Sequence, residues 1–166
     1  MTKTIKIYDM NIVCNEEGMV IGTKLSSMKG QNIAVCSEKS IAAYIILQTL
    51  CKKGEFKRKP MLVTSFLKTS DRNNSVPHAF IIIKKEDDEY PTKYIIFDVE
   101  NPTLVETADG QKGYYVGLYC LTDEQYNDFI NGNSCTPTSI YEIYIPECRV
   151  VEAIRTYGRI QKDKSL

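Results

Sequence analysis

The stretch VPHAFIIIKKEDDEYPTKYIIFDVENP, residues 76–102, constrains the fold more than any other part of the chain. Two apolar, β-branched runs flank a charged segment that ends in Tyr-Pro, the pattern of two antiparallel strands joined by a turn. The first run opens on His78, the only histidine, and the second ends on Asp98. With the turn centred near Asp88, Lys84 faces Thr92, Phe80 faces Ile96 and His78 faces Asp98. Side chains alternate with period two, so residues 78, 80 and 82 share a face with 94, 96 and 98. Directly opposed residues have Cβ atoms about 4.5–5.5 Å apart, so a hydrogen bond between His78 and Asp98 is expected. The aspartate would fix the tautomer and favour the imidazolium. A slip of one residue would separate the pair. The plainer alternative is a His and an Asp that merely end their strands beside loops.

The rest of the chain frames this hairpin. CSEKSIAAYIILQTLCKKG reads as a helix, with Ser37 as its cap, Glu38 in the first turn, Lys52 and Lys53 in the last, and Gly54 after it. Its middle, Ile41 to Leu47, is apolar nearly all round, which predicts burial on most sides. KPMLVTSFL and GYYVGLYC read as strands. TDEQYNDFINGN reads as a short helix with a Thr122/Gln125 capping box and Gly132 at its end. TSIYEIYI alternates, with Tyr141, Ile143 and Ile145 on one face, and so predicts a strand. The start, TIKIYDMNIV, offers a strand or two, and NEEGMVIGTK a turn and a short apolar run. The tail RVVEAIRTYGRI fits a strand or a helix. A helix followed by mostly consecutive strands argues for an α+β fold with an antiparallel sheet, in one domain spanning residues 1–166.

Formal net charge is zero, so no global field favours nucleic acid or an anionic membrane. No run approaches the roughly 18 apolar residues of a membrane span. The first residues lack the apolar core and cleavage site of a signal peptide. The expectation is a cytoplasmic chain, with signal-independent export left open. The six cysteines are scattered, with no C-x-x-C pair. That pattern favours small buried hydrophobes over disulfides or a zinc site, and no metal or cofactor is expected.

One cysteine stands apart. Cys36 lies at the entry of the first helix, at the N-cap or one residue before it. There free N–H groups and the positive end of the dipole stabilise a thiolate and could hold an oxyanion. Cys51, at the other end of the same helix, meets the opposite dipole. Cys135, in the loop NGNSCTP, is the second candidate nucleophile because such a loop is expected to be exposed.

A cysteine opening a buried helix, then a His-initiated strand, then a strand ending in Asp resembles the transglutaminase-like branch of the papain-like fold. The resemblance covers roughly residues 30–102. It rests on Gly30, Cys36, Ala42 or Ala43 and the run 44–47 for the nucleophile helix, then on H-A-F-I-I-I and I-I-F-D. The chain departs from the family pattern in having no Trp, in placing Phe80 after the histidine, and in setting Pro102 four residues after Asp98. Val35 stands where eukaryotic transglutaminases have glutamine. Bacteriocin-processing peptidases and arylamine acetyltransferases share the Cys–His–Asp order, so the likeness points to a fold branch more than to a reaction.

The resemblance implies a central nucleophile helix packed on the antiparallel sheet and a Cys36–His78–Asp98 triad acting on amide bonds of a protein or peptide substrate. Cys36 would attack the carbonyl, His78 would move the proton, and Asp98 would orient His78. The Cys36 N–H, with Gln31 or Asn32, would hold the oxyanion. Water would resolve the acyl-enzyme in a peptidase or deamidase, and an amine in a transferase. The rival expectation is a non-enzymatic protein-binding module on the same fold. The polar loop 67–76 and the basic stretch KKGEFKRK would then be contact surfaces, although a solvated helix end and loop is the better account of the latter.

Overall fold

In the computed structural model, residues 3–7, 10–14, 20–23, 36–69, 74–84, 93–145, 147–151 and 155–160 are described, the first three segments as backbone only. Strands β1 (Lys3–Ile7), β2 (Met10–Cys14) and β3 (Val20–Thr23) form an antiparallel meander of their own. They are followed by helix α1 (Cys36–Lys52) and by strands β4 (Lys59–Thr69), β5 (Val76–Lys84), β6 (Tyr94–Glu106) and β7 (Lys112–Leu121). Helix α2 (Asp123–Ile130), strand β8 (Thr138–Ser139), helix α3 (Ile140–Tyr144) and strands β9 (Arg149–Val150) and β10 (Arg155–Tyr157) complete the chain order. The fold is α+β with an antiparallel sheet, as the order of apolar runs predicts.

The larger sheet runs β10-β4-β5-β6-β7-β8, with β9 added on β6. It curls into a half-barrel. The curl brings its two edges together at a bridge: Cys135, just before β8, exchanges two backbone hydrogen bonds with Tyr157 of β10, at 2.8 and 2.9 Å. The inner face carries Leu67, Phe80, Ile82, Ile96, Leu121 and Tyr157, with Phe129 of α2 packed among them. The outer face of the same strands carries Ile81, Ile83 and Ile95, on which Ala43, Tyr44 and Leu47 of α1 pack. β5 is therefore buried on both faces, which is why its sequence is a continuous apolar run rather than an alternation.

α1 begins at Cys36, one residue before the expected cap, and the Ser37 hydroxyl turns to Glu38 instead of capping. It ends as the sequence predicts, with Gly54 at φ +75° and the Gly54 and Glu55 amides returning to the Cys51 and Leu50 carbonyls. Burial on most sides is corrected among the described residues: only Ser40 is fully buried, while Ile45 and Ile46 are 50% and 60% exposed. One stripe of the helix faces the sheet and the opposite one does not. α2 keeps its capping box, with the Thr122 side chain accepting from Gln125 N–H and the Gln125 side chain from Thr122 N–H.

The expected strand TSIYEIYI is also corrected. After Thr138–Ser139 the chain turns into α3, where the Ser139 side chain accepts from Tyr141 N–H and the Tyr141 hydroxyl donates to Val116 O at 2.8 Å. The tail, open between strand and helix, forms the short strands β9 and β10. The start forms β1 and β2 and the apolar run after it forms β3.

Candidate functional site

β5 and β6 pair as an antiparallel hairpin, and their register differs from the expected one by two residues. Ile82 faces Ile96 and Lys84 faces Tyr94. The turn used to set the register, residues 85–92, lies outside the described residues. A shift of two preserves the pleat, so His78 and Asp98 still share a face. They now meet diagonally: His78 Nε2 lies 2.9 Å from Asp98 Oδ2.

Asp98 sits where the β6–β7 ladder breaks. It pairs with Gly117, and regular pairing resumes only at Thr103 with Tyr115. The extra residues turn back on the carboxylate. Backbone N–H groups of Glu100 and Asn101 both donate to Oδ1 at 3.1 Å, the self-turning habit of an aspartate before a turn. Asn101 Nδ2 donates to Oδ2 at 3.1 Å, and the Tyr157 hydroxyl donates to the same oxygen at 2.9 Å. With Oδ2 accepting from the ring, His78 carries its proton on Nε2. The 3.2 Å approach of Asn101 Nδ2 to that nitrogen is then a contact between two donors that share one acceptor. Gly117 makes the crossing possible: a Cβ there would stand 2.5 Å from Asn101 O and 3.0 Å from Asp98 O.

The pair is enclosed. Asp98 is fully buried and His78 is 6% exposed. The imidazole stacks at 5.9 Å on Phe80 and lies 6.4 Å from the Tyr157 ring. Burial alone would raise the Asp98 pKa; hydrogen bonding to His78, its charge, and the Tyr157 and Asn101 donors outweigh that and hold the carboxyl below its usual range. Burial pushes the Tyr157 phenol well above its ordinary value, and the Asp98 charge adds to that, so it stays a donor.

Among the described residues no hydrogen bond joins Cys36 to this pair. α1 packs on the outer face through Ala43, Tyr44 and Leu47, and the Ser40 hydroxyl donates to Ala79 O at 2.9 Å. His78 and Asp98 belong with Phe80 and Tyr157 on the inner face. α1 thus packs on the sheet that carries the His–Asp pair, as expected, but on the opposite face from the imidazole. The physical reason is that both faces of β5 are apolar, so the helix had two faces on which to pack. Glu100, the carboxylate two residues further along this strand, is engaged by α1 instead, with Lys39 Nζ 2.5 Å from its Oε2.

The other named residues fall as follows. Gln31 and Asn32 lie outside the described residues. Cys135 is buried, not exposed; burial, with the nearby Asp128, raises its thiol pKa to about 11. Cys51 donates to Arg58 O at 3.1 Å. Ser65, paired with His78 across β4 and β5, gives its hydroxyl to Gly158 O at 2.7 Å. Asn101, Gly117 and Tyr157 were not anticipated. The Asn-Pro step after Asp98 was a usable turn signal, whereas nothing local marks Tyr157. Among the described residues, no cluster of His, Cys, Asp and Glu could hold a metal ion, and no helix is long and apolar enough to cross a membrane. Family models, curated proteins and solved structures yield no match to this chain.

Proposed function

We propose that the chain is a protein-binding module in which the His78–Asp98 pair is structural. The observation that carries this reading is the enclosure of the pair inside the half-barrel, on the face away from α1. Every donor around Asp98 is aimed at its carboxylate, leaving a fully satisfied buried charge of the kind that fixes a bulge. The contact surface we assign is the outer stretch of β7 beside α3. There Tyr114 is 68% exposed and Tyr115 and Val116 are also exposed, and Tyr141 of α3 packs against Tyr115 and bonds to Val116 O. Exposed tyrosines with aliphatic neighbours are the composition that protein interfaces favour.

A thiol hydrolase or amide acyl transferase with a Cys36–His78–Asp98 triad, in a transglutaminase-like frame, is the second reading. The 2.9 Å His78–Asp98 hydrogen bond favours it. It requires the first turn of α1 to carry the Cys36 sulfur round the end of the sheet to the imidazole. Limiting iodoacetamide at pH 6, with adducts mapped by mass spectrometry, separates the two. The module predicts no cysteine that reacts faster than an ordinary thiol of pKa about 8.5. Labelling of Cys36 at least tenfold above that rate, abolished by His78→Ala, would establish the thiol reading and end the first.

A further inference from the structure

Arg155 opens β10 with its side chain on the inner face, and it is only 7% exposed. Its Nε donates to the Tyr119 hydroxyl at 3.0 Å and its Nη2 to Pro102 O at 3.1 Å. Both acceptors are neutral. No carboxylate among the described residues lies within ion-pair distance of the guanidinium. A buried cation is normally paired, because neutral acceptors alone repay little of its lost hydration.

The same side chain lines a cleft of about 210 Å³, together with Tyr119, Thr136, Thr138, Ser139 and Glu142. The cleft lies where the half-barrel closes, between the β7–β8 side and β10; Thr136 and Thr156 meet there at 3.2 Å. The mouth of a curled sheet is a common place for a ligand site. We infer that this cleft is a binding site for a carboxylate, received by the buried guanidinium of Arg155.

The chemistry selects that class. Two contacts fix the guanidinium plane, and the donors they leave unused form the planar edge that matches a carboxylate. Glu142 on the lining disfavours a second negative charge and so selects a monoanion over a phosphate dianion. The volume equals roughly seven waters, enough for a carboxylate with a short stem. A peptide C-terminus and a small organic acid share this group. The site uses Tyr119 of β7 but neither the exposed stretch Tyr114 to Val116 nor any thiol, so its failure and the failure of the binding-module reading are separate results.

The test is titration of the isotope-labelled full chain followed by amide NMR. The probes are acetyl-Ala-Ala-Ala with a free C-terminus, the same peptide as its C-terminal amide, sodium acetate and inorganic phosphate. The free-acid peptide should shift the amides of Tyr119, Thr138 and Ser139, and the amidated peptide should bind at least tenfold more weakly. Acetate binding as tightly as the free-acid peptide identifies a small acid as the source; a peptide preference of tenfold or more identifies a chain terminus. Arg155→Lys should weaken either acid at least tenfold. The amide comparison uses the unmodified protein and stands even if that variant does not fold. Equal binding of acid and amide, tighter binding of phosphate than acetate, or shifts confined to other surfaces would overturn the inference.

Discussion

Tyr157 and Asp98 are 59 residues apart in sequence and joined by a 2.9 Å hydrogen bond inside the half-barrel. The bond ties β10, the strand that meets the far edge of the sheet, to the bulge that interrupts β6. Tyr157→Phe keeps the ring contacts with Phe80 and removes one donor from a buried carboxylate. Hydrogen bonds to charged groups contribute about 1.5–3 kcal/mol. Urea unfolding should therefore show a loss of that size with an unchanged slope. A loss below about 0.5 kcal/mol would mean that the carboxylate does not depend on the phenol.

The pH dependence of stability follows from the same carboxylate. Its folded pKa lies below the value of about 3.9 expected in the unfolded chain. The unfolded state thus binds the proton more readily. The contribution is complete above that unfolded value and is lost as pH falls through the lower folded value. Urea midpoints of the unmodified chain and of Asp98→Asn should differ most near pH 6 and converge toward pH 2–3. A gap that stays constant down to pH 2 would show that Asp98 is not held ionised by its neighbours.

The sequence carried the parity of the hairpin but not its register. Parity depends on the pleat, which the two apolar runs encode in their own residues. Register depends on the turn, and Lys85 to Thr92 offers no Asn-Gly or Asp-Gly step to fix its length. Because the error was two residues, His78 and Asp98 kept a common face. The face taken by α1 was not legible. Ile81 and Ile83 are as apolar as Phe80 and Ile82, and the helix sequence from Ile41 to Leu47 shows no polar side. Closure of the sheet was also out of reach, since it joins Cys135 to Tyr157 through backbone atoms that any residue would supply. The alternation in Tyr141, Ile143 and Ile145 misled because Ser139 accepts from Tyr141 N–H and starts a helical turn there.

Gly117 is the position at which the bulge is least tolerant. Its missing Cβ would stand 2.5 Å from a backbone oxygen, and backbone cannot swing aside as a side chain can. Gly117→Ala should destabilise by about 1–3 kcal/mol, the usual cost of overpacking. It should also displace the Glu100 and Asn101 amide resonances. Gly113→Ala on the same strand is the control. A Cβ there meets only the Tyr115 ring, at 3.3 Å, which can move, so its effect should stay within about 0.5 kcal/mol. Equal effects of the two changes would show that the β6 crossing is not what Gly117 accommodates.

Cys135 gives a prediction that bears on every thiol measurement made with this chain. Its sulfur is enclosed where the half-barrel closes, next to the Asp128 charge, and its pKa is raised to about 11. The thiolate is the reactive form. At pH 8 the thiolate fraction is then about 1 in 1,000, against about one in four for a free thiol of pKa near 8.5. Alkylation of Cys135 with iodoacetamide at pH 8 should therefore run at least a hundredfold slower than that of a free cysteine peptide, read site by site from peptide masses. Unfolding in urea should restore the ordinary rate, because burial is the main cause of the raised pKa. Asp128→Asn should recover only a minor part of the difference in the folded protein, since the charge is the smaller cause. Fast labelling of folded Cys135 would mean that the Cys135–Tyr157 bridge opens readily in solution, and the closure of the sheet at that bridge would have to be abandoned.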